Sequence, residues 1–451
     1  MSPPHWTQLS GWGANLRADC AFTEPEDEAE LRRAVDHAGT IARGLGASYG
    51  DAAINDHRRV LGTRRFDRFI AFDDATGTLT CESGVSLGKI IEHFTPRGWF
   101  PMITPGTKFV TVGGCIANDI HGKAHHAQGC FSSSVDQMTV LLANDQVVVA
   151  SRTENADLFW GTFGGMGLLG IVLTATIRLR KIETTYFRQK AIHANDLESM
   201  LAALEEHDQV FPYSVATLDV FATGARLGRG VLVVGDHAKL DELPAHLEPL
   251  GISGPPKITV PFELPELALN RASIRLVNAV IQKIQSRGLP FAHYEQFVYP
   301  LDMLAHWNRG YGRRGFTQYQ FVVPFTDGAR HLREILTAIL GSGELPFLNI
   351  LKRLGKESEG ILSFPRAGYT FAIDFPIRAH TIALVRRLDA MVRDAGGRIY
   401  LGKDSYVEPE MFRAMYPAID RWLGIKAKYD PDGVFTSDLG RRVGLATRSR
   451  A

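Results

Sequence analysis

The sequence predicts a two-domain α+β protein, and three observations carry that expectation. Its 451 residues hold enough material for two hydrophobic cores. Three glycine-rich loops, each attached to a predicted strand or helix, fall between Arg43 and Gly170. Near Tyr186 those loops stop, and long helical patterns alternating with strand-like runs take over. The first domain is therefore expected over 1–185 and the second over 186–397, with 398–451 as a C-terminal segment.

In the first domain, Thr23-Glu24-Pro25-Glu26 reads as a helix start, followed by Leu31, Ala34, Val35 and Ala38 at helical spacing. A short strand at 40–42 then delivers the loop Arg43-Gly44-Leu45-Gly46-Ala47-Ser48-Tyr49-Gly50-Asp51. A pyrophosphate needs several N–H donors, a flanking hydroxyl such as Ser48, and glycines where the backbone comes close. A plain tight turn is the alternative for this loop taken alone. Strand patterns from Arg68 and Thr78 and a helix over 87–94 follow. The second cluster comprises Pro105-Gly106-Thr107 and the run from Thr111 to Gly122, where Gly113, Gly114 and Ala117 let backbone N–H groups approach a ligand. The third runs from Gly161 to Gly170 and leads into the alternating strand from Ile171. Together the three loops read as the cradle of one extended ligand. Gly165-Met166-Gly167-Leu168-Leu169-Gly170 matches G-x-G-x-x-G, but a predicted helix precedes it and a strand follows. That order is wrong for a nicotinamide-binding Rossmann turn.

In the second domain, helices are expected over 197–204, 332–340 and 382–395. The segment 271–287 places Ile274, Val277, Ile281 and Ile284 on one stripe, with Arg271, Arg275, Lys283 and Arg287 and no acidic residue. It reads as a surface helix with its stripe on the core, a membrane-surface contact being the alternative. Over 316–324 the alternation puts Gln318 and Gln320 on one face, opposite Tyr319 and Phe321. Two amides in line suit sugar hydroxyls, and a solvated sheet face is the alternative. Lys352 ends the face formed by Leu348 and Ile350 and can pair with a phosphate. Lys403 follows a short strand near the C-terminus. His121, close to His125 and His126, reads as a contact to a cofactor or substrate hydroxyl. No carboxylate at i+3 or i+4 completes a metal-ligand set, so no metal is expected.

Composition excludes several classes of function. With 45% hydrophobic and 22% charged residues, the chain is globular in type. Fifty Lys+Arg against 49 Asp+Glu gives +1, so no global field draws it to nucleic acid. The longest apolar runs fall far short of the ~20 residues that cross a bilayer, and the first residues show no signal peptide. A cytoplasmic protein is expected. Cys20, Cys81, Cys115 and Cys130 are too few and scattered for a disulfide framework.

The set Arg43-Gly-Leu-Gly-Ala-Ser-Tyr-Gly-Asp51, Pro105-Gly-Thr107, Thr111-Val-Gly-Gly-Cys-Ile-Ala-Asn-Asp-Ile-His-Gly-Lys-Ala-His-His126, Gly164-Gly-Met-Gly-Leu-Leu-Gly-Ile171 and Asp430-Pro-Asp-Gly-Val-Phe435 resembles the vanillyl-alcohol-oxidase-type FAD-binding fold. That fold has a substrate domain on an antiparallel sheet and a closing segment that returns to the FAD domain. More narrowly, the chain is similar to the flavin (oxidase) subunits of decaprenylphosphoryl-β-D-ribose 2′-epimerase. This likeness rests on Pro300-Leu-Asp-Met303, Trp307-Asn-Arg309, Tyr311-Gly312, Gly315-Phe-Thr-Gln-Tyr-Gln-Phe-Val-Val-Pro324, Phe347-Leu-Asn349, Asp374-Phe-Pro-Ile377 and Lys403-Asp-Ser405.

The resemblance implies FAD across the first domain, its pyrophosphate near Gly44, Gly46, Ser48, Gly113 and Gly114. Further contacts would come from Arg43, Pro105, Gly106, Thr107, Thr111, Ala117, Asn118, Gly122, Gly167 and Val172, with the isoalloxazine near Tyr49, His121, Tyr400 and Lys403. The implied reaction oxidises the 2′-hydroxyl of a polyprenylphosphoryl ribose to a 2′-keto sugar. A separate NADH-dependent short-chain reductase then returns it as the arabinose epimer, a donor for cell-envelope glycans. Lys403, His121 and Tyr49 are the candidate catalytic residues, with the base open among them. Tyr311, Gln318, Gln320, Lys352, Thr370 and Ala372 are the candidates for substrate binding. The rival reading on the same fold is an O2-using oxidase of a soluble alditol or aldonolactone. A lipid-linked substrate also implies peripheral contact with the inner membrane.

Two departures from the family pattern bear on the chemistry. Ala47 stands where covalent relatives place a histidine, so non-covalent FAD is expected. Ala372 stands where mycobacterial members carry a cysteine attacked by nitroaromatic inhibitors, so that capture is not expected here. Leu354 and Thr370 also differ from the mycobacterial pocket.

Overall fold

The computed structural model describes residues 5–256, 258–286 and 288–446, so Arg287 lies outside the described residues. The first part of the chain builds two sheets. A mixed four-stranded sheet runs in the order His5–Ser10, Arg17–Thr23, Arg59–Gly62, Thr40–Arg43. Its last two strands are parallel, and the first glycine loop leaves the end of Thr40–Arg43. A second, antiparallel sheet runs Phe69–Asp73, Thr78–Glu82, Ile171–Lys181, Val135–Leu141, Val147–Ser151, with Trp99–Pro101 also paired to the long central strand.

Local chemistry explains the elements between these sheets. Ser86 accepts a hydrogen bond from the Lys89 N–H and caps Leu87–Phe94, whose Leu87, Ile90, Ile91 and Phe94 are buried. Thr111 caps Val112–Asn118 in the same way, taking the Gly114 N–H at 3.2 Å. The helix predicted from Thr23 is shorter than expected. Asp27 caps Glu28–Ala34, which buries Leu31 and Ala34, and Val35 already has extended backbone, so Val35 and Ala38 lie beyond the helix.

The second part is an eight-stranded antiparallel sheet in the order Phe291–His293, Tyr186–Ala194, Gly230–His237, Tyr213–Leu218, Asn349–Leu354, Gly368–Pro376, Phe316–Val323, Arg398–Ile399. The predicted helices are Leu197–His207, Gly328–Gly341 and Thr381–Asp394, and each buries a leucine-rich stripe. Tyr319 points toward the last of these and donates to Asp389 Oδ1 at 2.9 Å, which leaves the opposite sheet face for Gln318 and Gln320. This is the two-domain α+β architecture the sequence predicts.

The chain then returns. The Tyr49 N–H donates to the Gly402 carbonyl at 3.0 Å, the Thr40 N–H to Val434 and the Thr436 N–H to Thr40. Arg442 clamps the join: it grips both oxygens of Asp51 at 2.7 and 2.8 Å and one oxygen of Asp404 at 2.8 Å. Both carboxylates are buried. A bidentate pair of this kind is worth much more than an exposed one. All four cysteines are free and buried. Among the described residues no helix is long and apolar enough to cross a membrane.

Removing Arg442 leaves two buried carboxylates without their cation. Arg442→Met is expected to cost about 3 kcal/mol, read as a lowered thermal unfolding midpoint, whereas Arg413→Met at the exposed pair with Asp420 should shift it little.

Candidate active site

The first loop forms an anion cradle. The N–H groups of Gly44, Leu45, Gly46, Ala47 and Ser48 have no acceptor among the described residues. Consecutive unpaired N–H groups of this kind suit phosphate oxygens. Gly44 is held against the capping Thr111, since a Cβ on it would lie 2.3 Å from Thr111 Oγ1. Ser48 Oγ lies 3.5 Å from Asn118 Oδ1, and Asn118 Nδ2 donates to Gly114 O at 2.9 Å. The third loop closes on the same helix through the Met166 N–H and Ala117 O at 2.9 Å, with Gly167 at φ 76° beside Ile41. Val172 follows in the central strand, opposite Val140. The first loop's Arg43 works from behind. Its guanidinium donates to Ala53 O and Ser10 O and shapes the loop, so any contribution to cofactor contact comes from its backbone.

Pro105, Gly106 and Thr107 are braced by the second domain. Asp302 accepts from the Lys108 N–H at 2.8 Å, and Lys108 Nζ meets Glu295 at 2.8 Å in a buried pair. This gives the Pro300-Leu-Asp-Met303 motif a structural task. A Cβ at Gly122 would meet the Thr104 carbonyl at 2.1 Å, so the residue after His121 is held against this second loop as glycine.

Three adjacent strands supply the facing wall. Cross-strand partners share a face, and the register sets Gln318 against Asp374, Gln320 against Ala372, Ala372 against Ile350, and Thr370 against Lys352. Gln320 is buried, so this face is not the solvated one. Its amide nitrogen donates to His121 Nε2 at 3.0 Å and to Thr370 Oγ1 at 3.3 Å, while Thr370 donates to the Phe321 carbonyl. The amide therefore fixes the imidazole tautomer: Nε2 accepts and Nδ1 carries the hydrogen. Nδ1 is buried and without a partner among the described residues. Burial, reinforced by Lys352, His125 and Lys403, holds His121 well below its ordinary pKa, so the ring is neutral.

The return segment completes the corner. The Tyr400 N–H donates to Gln320 O, and the Tyr400 ring lies 5.2 Å from that of His121. Lys403 Nζ sits 3.5 Å from the centre of the Tyr49 ring. Burial lowers Lys403 to about 7, against the raising effect of Asp374. It also lowers Lys352, whose Nζ reaches the Gly122 carbonyl at 3.5 Å, to about 8. Tyr49 is buried and its phenol is raised well above the ordinary value by that burial.

The structure thus brings His121, Gln320, Thr370, Ala372, Lys352, Tyr400, Lys403 and Tyr49 to one place. Tyr311 and Gln318 have their polar ends committed to Asp374, at 2.7 and 2.6 Å. Burial raises Asp374 to about 6. The sequence names Asp374 only within the Asp374-Phe-Pro-Ile377 motif and gives it no place in the site, although it is the lone charge in the wholly buried strand Gly368–Pro376, and a lone carboxylate in an apolar run is a readable signal. Asp119 also escapes sequence reasoning. Buried at φ 40°, it gathers Ser132, Ser358 and Ser363 and pins the chain just before His121.

Comparison with known proteins now bears on this geometry. The decaprenylphosphoryl-β-D-ribose oxidase of Mycolicibacterium smegmatis is 38% identical over 98% of this chain and 98% of its own length. This chain belongs to the decaprenylphosphoryl-β-D-ribose oxidase family. Residues 20–151 match the family described as FAD binding domain, and residues 314–443 match D-arabinono-1,4-lactone oxidase. The L-gulono-1,4-lactone dehydrogenase of Mycobacterium tuberculosis (strain H37Rv) is 22% identical across 98% of this chain and 99% of that protein. The glucooligosaccharide oxidase of Sarocladium strictum is 31% identical over 40% of this chain and 38% of its own.

The protein is an FAD-dependent oxidoreductase, and its residues fit the cofactor. Unpaired N–H groups at 44–48 suit phosphate oxygens, and the orphaned His121 Nδ1–H beside Tyr400 and the buried Lys403 over Tyr49 are suited to further polar groups of the cofactor. Gly44→Ala should push the first loop off Thr111 and lower the flavin absorbance per protein severalfold at unchanged circular dichroism.

Proposed function

We propose that this chain oxidises the 2′-hydroxyl of a polyprenylphosphoryl-β-D-ribose to the 2′-keto sugar, the first half of an epimerisation to the arabinose configuration. What carries this reading is the convergence of His121, Gln320, Lys352 and Lys403 on one corner, in a chain 38% identical over 98% of its length to a protein named for that oxidation. The bound FAD would supply the hydride acceptor and, with Ala47 in its first loop, would be held without a covalent bond.

The chain's own residues do the rest. Lys352 on the sheet face is the phosphate partner, because a bound anion restores the cation that burial weakens. His121 presents Nδ1–H as a donor, its other nitrogen held by Gln320. Oxidation of the alcohol breaks C2′–H and O–H and forms C=O: the hydride would pass to the cofactor, where negative charge arrives, and the hydroxyl proton to solvent, because Gln320 holds His121 Nε2 and the Tyr49 phenol stays protonated. Lys403 is the cation positioned to stabilise that charge, with Tyr49 beneath it. The 2′-keto product then calls for a second enzyme, an NADH-dependent short-chain reductase, to deliver the epimer.

Two experiments test this. Anaerobic addition of a short-chain polyprenylphosphoryl ribose should bleach the flavin band, and acid precipitation should release the colour to the supernatant. Reduction by a soluble alditol or aldonolactone instead would favour the rival reading.

The second is pH dependence. A lysine near 7 is cationic below that value and neutral above it, so flavin reduction by substrate should slow as pH rises through about 7. Lys403→Arg should move that limb upward, and Lys403→Met should slow reduction at every pH by about 10²–10³-fold. A rate that instead climbs through pH 7 in the wild type would make Lys403 the base.

A further inference from the structure

The helix Arg271–Ser286 turns an apolar side outward. Ile274 and Asn278 are its buried residues, and Gln285 anchors it to Thr217 Oγ1 at 3.1 Å. Leu276, Val280 and Ile284 are 67%, 49% and 62% exposed, and Val277 beside them is also exposed. At 3.6 residues per turn these four form one stripe facing away from the sheet. The expected core-facing stripe is thereby corrected: Ile274 meets the core, whereas Val277 and Ile284 face solvent. Leu267 before the helix and Leu289 after it extend the apolar surface.

The charges around the stripe have one sign. Arg271 and Arg275 lie over the Phe221 ring, Lys283 is exposed, and none of the three pairs with a carboxylate among the described residues. The helix carries no acid, and the nearest acids on the segment before it are neutralised, Glu263 by Arg313 and Glu266 by Arg314.

This surface borders the outer side of the active-site wall. A cleft lined by Leu267, Leu269, Tyr311, Pro376 and Ile377, with Arg314 and Arg378 beside them, lies at the root of the helix. Tyr311 stacks on Phe316 at 4.0 Å, Phe316 meets Tyr49 at 5.4 Å, and Tyr49 carries Lys403.

We propose that Arg271–Ser286 lies on an anionic bilayer, with Leu276, Val277, Val280 and Ile284 among the acyl chains, the cations at the headgroups and the Tyr311 cleft opening at the membrane. Unpaired cations beside an exposed apolar stripe are what an anionic lipid surface complements. The route of a lipid tail through the cleft rests on the proposed substrate; the seating on the bilayer does not.

The test uses the full-length holoprotein and vesicles of phosphatidylcholine with phosphatidylglycerol, or phosphatidylcholine alone, without substrate. The protein should sediment with the mixed vesicles and less so at high salt. Leu276→Gln with Val280→Gln and Ile284→Gln should weaken that partition at least about tenfold, with flavin spectrum and melting unchanged, and Lys283→Gln should weaken binding to the mixed vesicles only. With substrate present, the triple variant should lose rate on a long-chain, vesicle-embedded ribosyl lipid and keep it on a short-chain one. Vesicle binding lost in the triple variant while neither lipid is oxidised by wild type would uphold the membrane seat and remove the substrate assignment. Wild type that ignores mixed vesicles, a triple variant that binds them as well as wild type, or a dimer dissolved by the triple change with vesicle binding intact would overturn the proposal.

Discussion

The join between the first glycine loop and the returning C-terminal segment is the constraint on which the site depends. Tyr49 belongs to a loop that follows the parallel strand Thr40–Arg43, and Lys403 to a turn that follows the edge strand Arg398–Ile399. They meet because the Tyr49 N–H finds the Gly402 carbonyl, because Gly50 lets the Asp404 carbonyl approach within 2.1 Å of where a Cβ would stand, and because Arg442 ties Asp51 to Asp404. All of these contacts are internal to the protein. They fix the distance between the cradle on one domain and the cation supplied from beside the other's sheet.

Around that join the protein gathers positive charge and withholds water. Lys403 and Lys352 are weakened as cations by burial, and His121 is neutral for the same reason. Asp374 is the buried carboxylate that offsets Lys403, while itself raised to about 6 and held by Tyr311 and Gln318. A pocket so arranged is under-neutralised. An anionic ligand restores the ammonium form of the lysines it touches, which couples binding to proton uptake near neutral pH.

Much of this was legible in the sequence, and the part that was not has a common cause. Ser86 and the spacing of Leu87, Ile90, Ile91 and Phe94 define a helix locally, and the structure has Leu87–Phe94. The alternation around Gln318 and Gln320 is likewise a local property of the pleat, and the order helix, glycine loop, strand around Gly165 to Gly170 is enough to reject a Rossmann turn. What fails is orientation. Periodicity finds the stripe of Arg271–Ser286 but cannot tell which side meets the sheet, and Arg43 reads as a cofactor contact until Ser10 and Ala53 are seen to claim its guanidinium. Asp374 acquires meaning only through register, which aligns it with Gln318 on the neighbouring strand. Partners far apart in sequence decide each of these cases.

The burial of the four thiols has a separate consequence. Desolvation raises the pKa of Cys20 and of Cys115, holds Cys81 near 12 and keeps Cys130 well above the ordinary value. A thiol kept protonated and out of solvent is a poor nucleophile. The native chain is therefore nearly silent toward alkylating reagents, and a single cysteine introduced on an exposed turn would be its one reactive handle. A fluorophore or spin label placed there would report from one known point of the molecule with no native residue to be removed first.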